Sequence, residues 1–309
     1  MGGFGGKVKT PKKKGKGNKR GAPPPKPAAA TRVRESKPAK RALTEEQVRE
    51  AHMASVQHAI ELHAASIAEG LEEHGYAVVD EFMSSEAVAT MRAEATALLA
   101  GGHMQPSQST RYDEESGAVV AYEKHNVLST NLVGGEAYHV SPRMHEYCVA
   151  LVSSLAARLN AHGSLGVRLS ETLHANKLAV CLGDGSRYDK HYDNMGDGDL
   201  RKLTALLYLQ RSWTEANGGC FRMYTRGEGE RDAEGELPYV DLPPLGGRLL
   251  VFWADEMVHG VNPSHASGGE DEHRWALTIW LQATDPQGIS FDPAMEERHF
   301  QGMGSALAG

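Results

Sequence analysis

The second half of the chain admits few folds. Between Asn176 and Leu281 the apolar residues fall into short runs: Lys177 to Leu182, Leu203 to Leu209, Cys220 to Tyr224, Arg248 to Trp253 and Arg274 to Leu281. Gly218-Gly219, Pro243-Pro244 and Gly246-Gly247 stand between them, and such pairs make turns rather than helix interiors. Short strands punctuated in this way are the pattern of an all-β sandwich or barrel. No helical periodicity interrupts this half, so the sequence predicts a β-barrel with helices packed outside it.

Those helices come first. Thr44-Glu45-Glu46-Gln47 has the form of a capping box. Val48, Met53, Val56, Ile60, Ile67 and Leu71 then recur at helical spacing up to Gly75. The four histidines on this helix, His52, His58, His63 and His74, read as solvated surface. Tyr76 to Val79 predicts a strand, Ser84 to Leu99 a second helix and Pro142 to Leu159 a third. Gly101 to Gly135 is polar and irregular, and is expected to form a long loop, either a lid over a site or a surface excursion. One domain is expected over residues 44–290, with a helical N-terminal part at 44–175 and a barrel core at 176–285. A C-terminal tail covers 291–309.

Charge is distributed unevenly. Residues 1–41 hold 14 Lys and Arg against the single acid Glu35, or +13, which leaves −20 for the remainder of a chain whose net charge is −7. Residues 1–43 have the composition of a disordered basic tail. Its run from Lys12 to Arg20 fits a nuclear address, a contact for nucleic acid or an acidic partner, and a solubilising tail equally well. Cys148, Cys181 and Cys220 are odd in number and show no CxxC spacing, which argues against a disulfide framework or a zinc site and for a reducing compartment. No apolar run approaches the roughly 18 residues of a membrane span, and no signal-peptide core is present. A soluble, intracellular protein, cytoplasmic or nuclear, is expected.

The chemistry concentrates in Lys177 to Asn194, KLAVCLGDGSRYDKHYDN. If this segment is extended, His191 and Asp193 point to one face, because side chains two apart share a side of a strand. With one more His they make a 2-His-1-carboxylate triad, which leaves positions on an octahedral Fe(II) open. His259, in FWADEMVHGV, follows a hydrophobic strand 68 residues later. That gap is long enough to leave the barrel and return on a neighbouring strand. Arg274 opens the last strand, RWALTIWL, where a guanidinium can form a forked ion pair with a carboxylate inside the barrel. Trp253 and Trp280 read as core.

HYDN, then GGRLLVFWADEMVHGVNP, then RWALTIW resemble the Fe(II)/2-oxoglutarate-dependent dioxygenases, specifically the prolyl 4-hydroxylase branch that includes the hypoxia-sensing protein prolyl hydroxylases. The resemblance spans about residues 66–285. It implies a mainly β fold with flanking α-helices, a double-stranded β-helix or jelly roll. It further implies iron on His191, Asp193 and His259, 2-oxoglutarate held by Arg274, Tyr208 and Thr278, and substrate contacts from Tyr188 and Arg201. The implied reaction uses Fe(II), 2-oxoglutarate and O2, with ascorbate, to hydroxylate a prolyl residue of an intracellular protein at C4, releasing succinate and CO2. Cys181 stands where the hypoxia-sensing enzymes place a tyrosine near the metal-bound end of 2-oxoglutarate, and Ser267 to His273 looks like an insertion. Other substrates of the same fold remain open: another protein side chain, a small molecule or a nucleic acid. Nucleic-acid demethylases add a second arginine after the first, and WALTIWLQ has none. A catalytically silent binding module is the remaining alternative, and it sits poorly with retention of all three metal-ligand candidates and Arg274.

Overall fold

The structure is a computed structural model of the chain, and it describes residues 43–300 except 114–117, 197, 227, 228 and 234, together with Gly21. The basic tail, apart from Gly21 and Leu43, and residues 301–309 lie outside the described residues. Helices α1 (Glu45–Glu73), α2 (Ser85–Ala100), α3 (Glu136–Val140) and α4 (Pro142–His162) precede most of the strands. The capping box closes α1 as the sequence predicts. The Gln47 N–H donates to Thr44 Oγ1 at 3.3 Å and the Thr44 N–H to Gln47 Oε1 at 3.0 Å. Val56, Ile60, Ile67 and Leu71 form its buried stripe. Pro142 in the first turn of α4 and Gly163 at φ 75° just past its end set the limits of that helix.

Eleven strands lie among the described residues: β1 (Tyr76–Val79), β2 (Gln105–Asp113), β3 (Ala118–Thr130), β4 (Leu169–Cys181), β5 (Ser186–His191), β6 (Arg201–Tyr208), β7 (Phe221–Tyr224), β8 (Tyr239–Leu242), β9 (Leu249–Trp253), β10 (His259–Ser264) and β11 (Arg274–Ala283). They form a seven-stranded sheet in the order β1-β9-β6-β11-β4-β3-β2 and a four-stranded sheet in the order β5-β10-β7-β8. All pairings are antiparallel. The fold is a jelly-roll core with flanking helices.

Period-2 alternation gives the large sheet two different faces. On β11, Trp275, Leu277, Ile279 and Leu281 join the hydrophobic core with residues of α1, α2 and α4, while Arg274, Ala276, Thr278 and Trp280 line a cavity between the sheets. On β4, Leu178 and Val180 face the core, whereas Lys177 and Ala179 face the cavity. Leu250, on β9, is fully buried and lies in register between Val78 of β1 and Leu206 of β6. Leu250→Ala is therefore expected to cost about 2–5 kcal/mol of folding free energy, read as a lower denaturation midpoint. A loss below ~0.5 kcal/mol would mean that the strand is not at the centre of the core.

Three expectations are corrected. Gly101 to Gly135 is not a long loop: it holds the β2–β3 hairpin, which extends the large sheet by pairing Val127–Thr130 with Leu178–Cys181. Its polar composition carries little intrinsic strand signal, and the order comes from the neighbouring strand. The barrel core does not begin at residue 176, because β4 starts at Leu169. Residues 293–300, assigned to a tail, form a short helix, α5 (Pro293–Phe300), whose Phe300 packs with Tyr192 in a small second apolar cluster.

Candidate metal centre

His191 ends β5 and His259 begins β10, and the two are direct cross-strand partners. Their rings lie 4.3 Å apart, centroid to centroid. Each Nδ1 is 2.7 to 3.0 Å from a carbonyl oxygen two residues upstream, that of Asp189 for His191 and that of Met257 for His259. Those acceptors select the tautomer with hydrogen on Nδ1 and leave a lone pair on each Nε2. Both Nε2 atoms lie 3.7 Å from the same oxygen, Asp193 Oδ1. Asp193 is just past the end of β5, yet the alternation holds: Tyr192 between the two ligands turns into the apolar cluster with Phe300.

The second carboxylate oxygen is held. Thr204 Oγ1 donates to Asp193 Oδ2 at 2.7 Å and Trp280 Nε1 donates at 3.0 Å. Thr204 and Trp280 are themselves register partners on β6 and β11. His259 is fixed by stacking on Phe221 at 5.0 Å and by the edge of Phe252 at 4.7 Å. Further back, buried Lys202 pairs with buried Asp255 at 3.0 Å, in the turn that delivers His259. Burial, then the neighbouring His259, holds the His191 imidazole down to about 4 against the opposing pull of Asp193, so it is neutral near pH 7. Burial pushes the Asp193 carboxyl up, but His259, His191 and the two hydrogen bonds outweigh it and hold it below the usual range. Among the described residues these three form the group able to hold a metal ion, with one donor atom from each, all within 4.8 Å of one another.

The donor chemistry fits Fe(II): two imidazoles and one carboxylate on one side, and a cavity of about 220 Å³ on the other. Arg274 lines the same cavity. Its Nε donates to the carbonyl of Gly219 at 2.8 Å, whereas its buried Nη2 has no hydrogen-bond partner among the described residues. Gly219 has φ 68°, and a Cβ there would come within 2.9 Å of Arg274 Cδ, so only glycine lets the guanidinium lie against that backbone. The Tyr208 ring is 5.2 Å from the Arg274 guanidinium carbon, and its fully buried hydroxyl also lacks a hydrogen-bond partner among the described residues. An unmet buried guanidinium nitrogen beside an unmet phenol fits a carboxylate such as the distal one of 2-oxoglutarate. Thr278, on the Arg274 face of β11, also lines the cavity.

Tyr188 and Arg201 reach the same cavity. Arg201 is already paired with Asp199 at 2.6 Å and lies 5.3 Å from the centre of the Trp280 ring. Cys181 is buried, faces Arg274 across the β4–β11 pair and is not part of the cavity lining. The Ser267–His273 segment contains a short 3-10 turn, and the carbonyls of Glu270 and His273 accept from Arg92. The expectation that Trp280 is core is corrected: it is half-buried, lines the cavity and orients Asp193. The signal for it was its position six residues after Arg274, on the same strand face. Thr204, Lys124 and Lys177 escaped the sequence reading because cross-strand register brings them in. Trp280→Phe keeps the ring and removes the donor, so metal affinity is expected to fall about 10-fold with little loss of stability. Unchanged Mn(II) affinity by calorimetry would deny Trp280 that orienting part.

This fold and this cluster suit a non-haem iron site, and the sequence comparison points the same way. Residues 175–282 match the 2OG-Fe(II) oxygenase superfamily, and the chain carries a domain of that class. The chain is 27% identical over 214 residues to Egl nine homolog 1 of Homo sapiens, covering 68% of this chain and 44% of that protein. It is 35% identical over 105 residues to the prolyl hydroxylase EGLN3 of Homo sapiens, covering 33% of this chain and 38% of that one. The chain thus spans about half the length of the Egl nine relatives it matches. Two solved structures share the fold. A prolyl hydroxylase from Trichoplax adhaerens, in complex with a hypoxia inducible factor peptide fragment, aligns at TM-score 0.57 and 22% identity over 81% of this chain and 99% of its own. A Pseudomonas putida prolyl-4-hydroxylase aligns at TM-score 0.53 and 24% identity over 71% of this chain and 98% of its own. Among the described residues no helix is long and apolar enough to cross a membrane.

Proposed function

We propose that the chain is a protein prolyl hydroxylase that uses Fe(II), 2-oxoglutarate and O2 and acts on an intracellular protein at proline C4. The observation that carries this reading is that one cavity gathers His191, Asp193, His259 and Arg274, with Tyr188 and Arg201 also in its lining. The similarity to prolyl hydroxylases supports the choice of substrate. His191 Nε2, Asp193 Oδ1 and His259 Nε2 would hold the metal, and Thr204 and Trp280 keep Asp193 from rotating. Arg274, with Tyr208 and Thr278, holds the far carboxylate of 2-oxoglutarate, so that a charge pair in a dry pocket sets its orientation. When bound, the iron and 2-oxoglutarate supply oxidation of a C–H bond by O2, with one oxygen atom entering the substrate and the other leaving in succinate as CO2 is released. Tyr188 and Arg201 line the way in and contact the substrate. The apolar walls formed by Leu206, Phe221 and Val261 exclude water from the reacting centre. Ascorbate is assigned as the reductant that keeps the iron ferrous.

The test is mass spectrometry of lysate proteins incubated with the chain, Fe(II), ascorbate, 2-oxoglutarate and ¹⁸O2. A labelled one-oxygen gain on prolyl residues is the expected result. A gain confined to another residue type, or no gain in protein while a small molecule is oxidised, overturns the prolyl assignment.

A further inference from the structure

Two lysines in the cavity have no part in the chemistry above. Lys177 lies on β4 opposite Thr278 of β11, and Lys124 lies on β3, with its ammonium donating to the Gln108 carbonyl at 3.2 Å and lying 5.1 Å from the centre of the Tyr188 ring. Both are half-buried and line the cavity. Two other cations of the cavity have carboxylate partners, Arg201 with Asp199 at 2.6 Å and Lys190 with Glu236 at 3.3 Å, and Arg274 is the one assigned above to 2-oxoglutarate. Among the described residues neither Lys124 nor Lys177 is in an ion pair, and Lys177 makes no side-chain hydrogen bond. Asp189, itself paired with Arg187 at 3.1 Å, and then Asp193 attract Lys124, and Asp193 attracts Lys177; the Asp193 oxygens face the two histidines on one side and Thr204 and Trp280 on the other.

We propose that Lys177 and Lys124 form an anion subsite that reads an acidic side chain of the substrate, next to the residue that is oxidised. This rests on the prolyl hydroxylase reading and specifies its substrate class: an acidic prolyl segment. Two half-buried ammonium groups that are in no ion pair among the described residues are costly to hold, and an entering carboxylate lowers that cost. Burial, and for Lys124 the neighbouring Lys177, holds both ammonium groups below their ordinary range, Lys124 down to about 8. Beyond residue 41 the chain carries −20, so its general field does not attract acidic peptides. The local cations at the cavity supply that selectivity, focused between low-dielectric walls.

The experiment measures binding without turnover. Two labelled nonapeptides, identical except that a central proline is flanked by glutamates or by glutamines, are titrated against the full chain loaded with Mn(II) and 2-oxoglutarate, with fluorescence anisotropy as readout. The glutamate peptide is expected to bind about 10-fold tighter, with the gap closing at high salt. Lys177→Met erases the gap, Lys124→Gln narrows it and Lys177→Arg retains it. All three variants keep the rise in melting temperature on adding Mn(II) and 2-oxoglutarate. Equal affinity of the unaltered chain for the two peptides overturns the subsite. So does a Lys177→Met chain that weakens both peptides equally, or one that loses the 2-oxoglutarate stabilisation, which would assign the lysine to the co-substrate. A third peptide, glutamate-flanked with alanine for the central proline, separates the two readings. If it binds as well as the proline peptide, the anion subsite stands and the prolyl assignment falls.

Discussion

Asp193→Ala is expected to abolish metal binding and, with it, all succinate formation. Asp193 Oδ1 lies 3.7 Å from each of the two imidazole Nε2 atoms. Its removal leaves two neutral nitrogens to hold a divalent ion that favours oxygen as well as nitrogen donors. The loss extends outward, because Thr204 Oγ1 and Trp280 Nε1 both donate to this carboxylate and would be left unpaired. Removing an outer partner of a metal ligand costs about 10–100-fold in affinity; removing the ligand itself should exceed that. Calorimetric titration with Mn(II), next to a succinate assay on the iron-loaded chain, measures both effects. Retained affinity within 10-fold would place the metal elsewhere.

Arg274→Ala should act on the co-substrate and spare the metal. Arg274 is 6% exposed and its Nη2 has no partner among the described residues, so a carboxylate bound there pairs with a largely desolvated charge. Truncating one side of such a pair costs about 2–4 kcal/mol, on the order of 100-fold in affinity. The expected result is a rise of that size in KM for 2-oxoglutarate with unchanged Mn(II) affinity. Arg274→Lys keeps the charge but loses the fork and the Nε bond to Gly219, and should fall between the two. A KM for 2-oxoglutarate that does not move on Arg274→Ala would release Arg274 from this part.

Sequence and structure agree where information is local. The capping box at Thr44 and the YAVV and RWALTIWL strands depend on neighbours within a few residues, and each forms as its pattern dictates. The side chains of His191, Asp193 and His259 meet in space, as HYDN and FWADEMVHG suggested. What sequence does not show is register. Trp280 turns from a core aromatic into a donor to Asp193 because β11 sets it against Thr204 of β6. Lys177 and Lys124 lie 53 residues apart on strands that meet only through the sheet. The β2–β3 hairpin was read as a loop because its polar residues give no alternation, and its order is imposed by β4. The α5 helix was missed because its eight residues are short of independent stability and depend on packing against Tyr192.

The central claim is that one cavity holds an iron ion on His191, Asp193 and His259 and 2-oxoglutarate on Arg274. Its most direct test is an anaerobic titration of the metal-free chain, first with Fe(II) and then with 2-oxoglutarate. The account predicts one Fe(II) per chain, 2-oxoglutarate binding that tightens strongly once the iron is in place, and loss of both steps in Asp193→Ala. Binding of 2-oxoglutarate with equal affinity with and without iron, or one equivalent of Fe(II) retained by Asp193→Ala, would contradict it.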